Sequence, residues 1–93
     1  MRTISSTAIT DLVEKLCIEA CVNLSPDIEA AMQQGAEQDR SPLARNVLNT
    51  IIENVHIARS ERAPMCQDTG MTVIFVDMGQ DLHVEGDLIE DAI

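Results

Sequence analysis

The residues whose types could carry out chemistry are concentrated in one short segment. Seven consecutive residues supply a thiol, an amide, a carboxylate, a hydroxyl and a glycine: Pro64, Met65, Cys66, Gln67, Asp68, Thr69 and Gly70. A thiolate can bind a soft metal or act as a nucleophile, and a carboxylate can move protons. An ordinary structural turn also fits, with Asp68 bonding backbone amides and Gly70 taking a positive φ. Spacing alone leaves both interpretations open.

Two further cysteines, Cys17 and Cys21, lie four residues apart, so on a helix their side chains face the same way. Such a pair could share a zinc ion or a cluster, but no histidine or third cysteine is near in sequence. Cys17 falls at the edge of an apolar stripe and Cys21 just outside it. Since buried cysteine usually behaves as a small hydrophobic residue, we expect this pair to pack rather than to bind metal.

Basic side chains are scattered, except for Arg59 and Arg62 just before the Cys66 segment. They could complete the carboxyl end of a helix, where cations interact favourably with the dipole. They could instead clamp the carboxylates of an acidic substrate. His56 and His83 fall at polar positions of a predicted helix and strand, so we expect both at the surface.

Composition narrows the class of protein. The 93 residues suffice for one small domain, and a net charge of −10 argues against nucleic acid or an anionic membrane as a partner. Phe75 is the lone aromatic residue, so the core must be aliphatic, which suits helices better than an isolated β-sandwich. No signal peptide or membrane span is evident, and we expect a cytoplasmic protein with reduced cysteines.

Helical patterns fill the first two thirds of the chain. Apolar spacing predicts helices over about residues 6–24, 26–39 and 42–60. Ser25 and Ser41 each precede a proline, the arrangement typical of a helix amino terminus. These helices must carry the Cys66 segment.

Strand patterns follow the Cys66 segment. Residues 71–78 are nearly continuously apolar and rich in β-branched types, which predicts a strand covered on both faces. Residues 82–85 alternate like a half-exposed strand, and a further helix is predicted to start over 87–93. The predicted fold class is α+β: three helices, a loop and a two-stranded β segment. Because two strands cannot cover both faces of 71–78, we expect a fragment of a larger domain.

With these elements in place, the chain resembles the iron–sulfur hydro-lyase family, which comprises class I fumarate hydratases and L-tartrate dehydratases. The likeness is to the amino-terminal part of the α-type catalytic region and covers essentially residues 1–93. The segments that carry it are Pro64 to Met71, Val73 to Val76, Gly79 to Asp81, Leu16 to Ala20, Ser41 to Arg45 and Ile57 to Arg59.

The resemblance implies roles for three residues. The family holds a [4Fe–4S] cluster through three cysteines and leaves one iron open to substrate, so Cys66 would be one cluster ligand. Gln67 and Asp68 match positions that contact a small hydroxy-dicarboxylate, and Asp68 would take part in proton transfer. The other two cluster cysteines would lie beyond Ile93, and Cys17 and Cys21 do not replace them.

The implied function is reversible hydration of fumarate to L-malate by the complete enzyme, with this piece alone inactive. Expected partners are the dicarboxylate substrate, a β-type subunit or carboxy-terminal domain, and further copies in a homo-oligomer or heteromer. L-tartrate dehydratase is the alternative within the family. A non-catalytic helical interaction domain is the alternative outside it, because the other cluster ligands are missing. A free-thiol redox role has little support without a Cys-x-x-Cys motif.

Overall fold

The computed structural model describes residues 1–66 and 71–93. In chain order the elements are β1 (Arg2–Ser5), α1 (Ser6–Val22), α2 (Pro26–Gln38), α3 (Pro42–Glu61), β2 (Leu82–Glu85) and α4 (Ile89–Ala92). Long helices with one short sheet confirm the predicted α+β class. The chain forms two compact units: Met1–Ile18 with Met71–Ile93, and Glu19–Gly70.

The predicted Ser-Pro starts of α2 and α3 are both present, but they differ in their capping bonds. Ser41 accepts a hydrogen bond from the Ala44 amide at 3.3 Å, a regular N-cap. Ser25 holds the same position without a cap bond. The Ser25 side chain is instead the main cause of the lowered pKa of the nearby Asp27 carboxyl. Proline therefore marks both helix starts, while serine caps only one of them.

The unit Glu19–Gly70 consists of the end of α1 and the pair α2 and α3, which pack against each other. Its buried apolar side chains are all small or medium in size: Val22, Ala36, Val55 and Ala58. Small side chains let helices approach closely, so this core needs no aromatic residue. Packing against α2 therefore holds α3, including its carboxyl end, in place.

The other unit contains a parallel two-stranded sheet, in which β1 pairs with β2 in the register Arg2 to Leu82. The Ser6 hydroxyl, which is buried, accepts a hydrogen bond from the Asp87 amide at 3.0 Å. Thr10 donates to the Ala92 carbonyl at 2.7 Å. Two hydroxyls at the start of α1 thus attach the segment that follows β2.

The prediction of a strand over residues 71–78 is wrong for this chain. These residues form no helix or strand, and Phe75 is 94% exposed. A strand needs a neighbour for its hydrogen-bond ladder, and in the part of the chain that the structure describes, β1 and β2 pair with each other. The predicted two-stranded segment therefore exists with β1 in place of 71–78. The further helix is confirmed as the single turn Ile89–Ala92, shorter than the predicted 87–93.

Candidate functional site

The carboxyl end of α3 lies just before Cys66 in the chain and determines where the backbone leaves the helix. Arg62 adopts the left-handed conformation with φ 53°, and its amide donates to the Ala58 carbonyl. The Ala63 amide donates to the same carbonyl at 3.1 Å. A left-handed residue with a bond reaching back across the last turn is a standard way to end a helix. Pro64 then follows and cannot continue the helix.

Met65 is anchored at both of its backbone polar groups. Its amide donates to the Cys21 carbonyl, at the end of α1, with an N···O distance of 2.9 Å. Its carbonyl accepts a hydrogen bond from the Asn54 side-chain amide at 2.8 Å. The Cys21 carbonyl is one of the last four of its helix, which have no partner inside the helix, so the bond also completes α1.

Cys66 follows this anchored residue with an exposed, free thiol. An exposed thiol on a fixed backbone is accessible to a metal or to a reagent, whereas Cys17 and Cys21 are partly buried and free, which fits the packing interpretation. Among residues 1–66 and 71–93, no three side chains of His, Cys, Asp or Glu form a group that could hold a metal ion. Among the described cysteines, Cys66 is thus the one whose thiol is exposed.

Gln67, Asp68, Thr69 and Gly70 lie outside the described residues. The substrate-binding roles of Gln67 and Asp68 and the catalytic role of Asp68 remain predictions.

Arg59 is engaged within its own unit. Its Nη2 lies 2.6 Å from Glu29 Oε2, and its Nε donates to Asn23 Oδ1 at 3.1 Å. His56 Nε2 lies 3.1 Å from the other Glu29 oxygen, Oε1. The Arg59 hydrogen bond is the main reason that the pKa of the Glu29 carboxyl is lowered; partial burial opposes it, and the His56 bond adds to it.

This network shows what the Arg59 side chain binds within the described residues. Arg59 binds a carboxylate of its own chain rather than presenting a free guanidinium to a substrate. Arg62 contributes through its backbone at the end of α3. Arg59 lies in the last turn of α3, where its side chain bonds to Glu29, and the backbone of Arg62 ends the helix. His56 and His83 are exposed, as expected.

Sequence reasoning missed Asn54 and Glu29. Asn54 lies on the exposed side of α3, eleven residues before its partner Met65, and looks like any polar surface position. Glu29 lies near the start of α2, and its partners on α3 lie 27 and 30 residues away in the sequence. A poor helix former in mid-helix was the one available signal for Asn54.

Two comparisons bear on this site. The family model for fumarate hydratase (Fumerase) matches residues 10–93. A Methanocaldococcus jannaschii protein, assigned as subunit alpha of an L(+)-tartrate dehydratase, is 35% identical over 75 residues. The match covers 81% of this chain and 26% of that protein, so the chain spans about a quarter of the length of this relative. No solved structure shows significant similarity. Of the described residues, no helix has both the length and the apolar character needed to cross a membrane.

Proposed function

Because the chain belongs to the fumarate hydratase family of iron–sulfur hydro-lyases, we propose that it supplies the Cys66 segment of an active site that reversibly hydrates fumarate to L-malate. The observation that carries this proposal is the Cys66 thiol. It is exposed and directly follows Met65, whose backbone is anchored at both polar groups.

The donor chemistry of Cys66 fits an iron–sulfur cluster. A thiolate is the soft ligand that such clusters require, and an exposed sulfur can be reached by a cluster held partly by other residues. One thiolate cannot hold a cluster by itself, so the proposal places two further cysteine ligands outside this chain. When bound, the cluster would supply an open iron that acts as a Lewis acid on the substrate hydroxyl.

Gln67 and Asp68 have side chains that can bind a substrate and exchange a proton with it next to the Cys66 sulfur. The Gln67 amide can donate to a substrate carboxylate, and the Asp68 carboxylate can hold or release a proton as water is added or removed. We therefore assign substrate orientation to both residues and proton transfer to Asp68. Their position directly after Cys66 in the sequence supports the assignment, because residues adjacent in a chain can contact the same small ligand.

The charge of the substrate needs cationic partners, and Arg59 already pairs with a carboxylate of this chain. The dicarboxylate carries two negative charges, while Arg59 is bonded to Glu29 in its own unit. The cationic groups that bind the substrate would then come from the cluster iron and from a β-type subunit or carboxy-terminal domain. The relative's name, subunit alpha, supports an arrangement with more than one subunit.

The test is to produce the intact gene product anaerobically with iron and sulfide. We expect visible cluster absorbance and hydration of fumarate to L-malate. Protein that folds but shows neither absorbance nor hydration would contradict the proposal.

L-tartrate is the second candidate substrate, and the name of the relative favours it. Fumarate ranks first because Gly70-Met71 and the turn Gly79-Gln80-Asp81 look more like the fumarase branch. Competition between the two substrates on the same preparation decides the question. Dehydration of L-tartrate at a higher kcat/KM than fumarate hydration would reverse the order.

A further inference from the structure

We propose that Asn54 is a positioning residue for the Cys66 thiol, acting through the Met65 carbonyl. The inference rests on the proposed function, in that Cys66 is taken to be a cluster ligand. It assigns a role to a side chain that the resemblance did not involve.

The physical basis is the planarity of the peptide bond. The Met65 carbonyl oxygen, the Cys66 nitrogen and the Cys66 Cα lie in one plane. The Asn54 side-chain amide holds that oxygen at 2.8 Å, so it fixes the plane in which Cys66 begins. Only the remaining backbone and side-chain torsions of Cys66 then determine where its sulfur lies.

The position of Asn54 is fixed by the buried residues that neighbour it on α3. Asn54 precedes Val55, which is 4% exposed, and lies one turn before Ala58, which is 2% exposed. These are among the most buried residues of the structure, so the backbone of α3 is held firmly here. The bond from the Met65 amide to the Cys21 carbonyl holds the same residue from α1. Two helices of one unit thus determine the orientation of a single peptide.

The residue type at position 54 supports a specific role. Asparagine is a poor helix former. Asn54 is exposed, so its side chain is not needed to fill the core. Its carboxamide provides two donor hydrogens, which the Met65 carbonyl can accept and which an apolar or acidic residue would lack. Asn49 is the natural comparison, since it is also an exposed asparagine of α3.

The test compares Asn54→Ala with Asn49→Ala in the intact gene product. Alanine is the best helix former, so neither change threatens α3. We expect Asn54→Ala to release its reconstituted cluster to an iron chelator about tenfold faster than the unmodified protein, the lower end of the range for supporting residues around a metal site. In the cluster-free protein, the Met65 amide should exchange its hydrogen faster in Asn54→Ala, while the melting temperature stays at that of Asn49→Ala.

Each outcome has one meaning. Equal release rates and equal Met65 exchange in Asn54→Ala and Asn49→Ala would overturn the positioning role. Cys66→Ala, measured alongside, separates this inference from its premise. If Cys66→Ala still assembles the cluster, the proposed ligand is wrong; if it loses the cluster while Asn54→Ala behaves as the unmodified protein, only the inference about Asn54 is wrong.

Discussion

Residues 62–66 and residues 71–78 differ in how much of their structure this chain can determine by itself. Neither stretch is helix or strand. In the first, Arg62 ends α3 and both polar groups of Met65 are bonded to helices of the same unit. In the second, a strongly apolar run leaves Phe75 94% exposed and Met71 84% exposed.

The difference lies in where each stretch finds its partners. A helix end is completed by bonds that reach back one turn or to a neighbouring side chain, and these are available within the unit Glu19–Gly70. A strand buried on both faces requires neighbouring strands and covering layers, which two paired strands do not offer to 71–78. The carboxyl end of α3 is therefore specified locally, whereas no described strand pairs with the apolar run 71–78.

The strongest test of the first region is Cys66→Ala. In the intact gene product we expect complete loss of cluster absorbance and hydration, because the proposed function makes Cys66 one of three cluster thiolates. Cys17→Ala is the matched control and should lower stability only through lost packing of a partly buried side chain. Loss of the cluster in Cys17→Ala, with retention in Cys66→Ala, would reverse our assignment.

The unit that contains residues 71–78 is fixed locally at Gly86, and the variant Gly86→Ala tests this contact. Gly86 has φ 108°, and an added Cβ would collide with the Ser6 hydroxyl that holds Asp87. We expect a loss of about 1–3 kcal/mol in the free energy of unfolding, the usual cost of a strained backbone residue. Gly79→Ala is the control, since an added Cβ there meets nothing within 4 Å. Equal urea midpoints for the two variants would refute the collision.

A smaller effect is expected at the two helix starts. Ser41→Ala removes a real cap bond and should cost about 1 kcal/mol of unfolding free energy. Ser25→Ala should cost less, because Ser25 caps no amide of α2. Thermal unfolding of both variants would rank their stabilities. A larger loss of stability for Ser25→Ala would show that the cap bond does not determine how much each serine stabilises its helix.

The same contrast explains what could be predicted from the sequence. The three long helices were found within about two residues, because Ser-Pro starts and apolar spacing act within each helix. β2 was found at Leu82–Glu85 because its alternation survives in a half-exposed strand. The prediction of a strand over 71–78 was wrong because an apolar run indicates only that a segment favours burial. It does not indicate whether a neighbouring strand is available to pair with it.

Two misses have a different cause. β1 is four residues long with every side chain exposed, so no alternation marks it, and only its pairing with β2 makes it a strand. At the candidate site, Cys66 stood out by residue type, but Asn54 did not. Its importance arises from a contact with Met65 that exists only once α3 has ended and the chain has turned back.

The last prediction concerns the Glu29 network, which connects α2 to α3 in the locally specified unit. The pKa of Glu29 is lowered in the folded protein, chiefly by the hydrogen bond from Arg59. A lowered pKa means that the stabilisation is fully present above the ordinary glutamate pKa of about 4.3 and disappears as the pH falls through the lower, folded value. Glu29→Gln should therefore flatten the acid side of the curve of unfolding free energy against pH, the stability profile.

Glu53→Gln is the control. It removes the same charge from an exposed position on α3 and should leave the profile unchanged. Parallel profiles for the unmodified protein and Glu29→Gln below pH 5 would mean that the Glu29 network does not stabilise this unit.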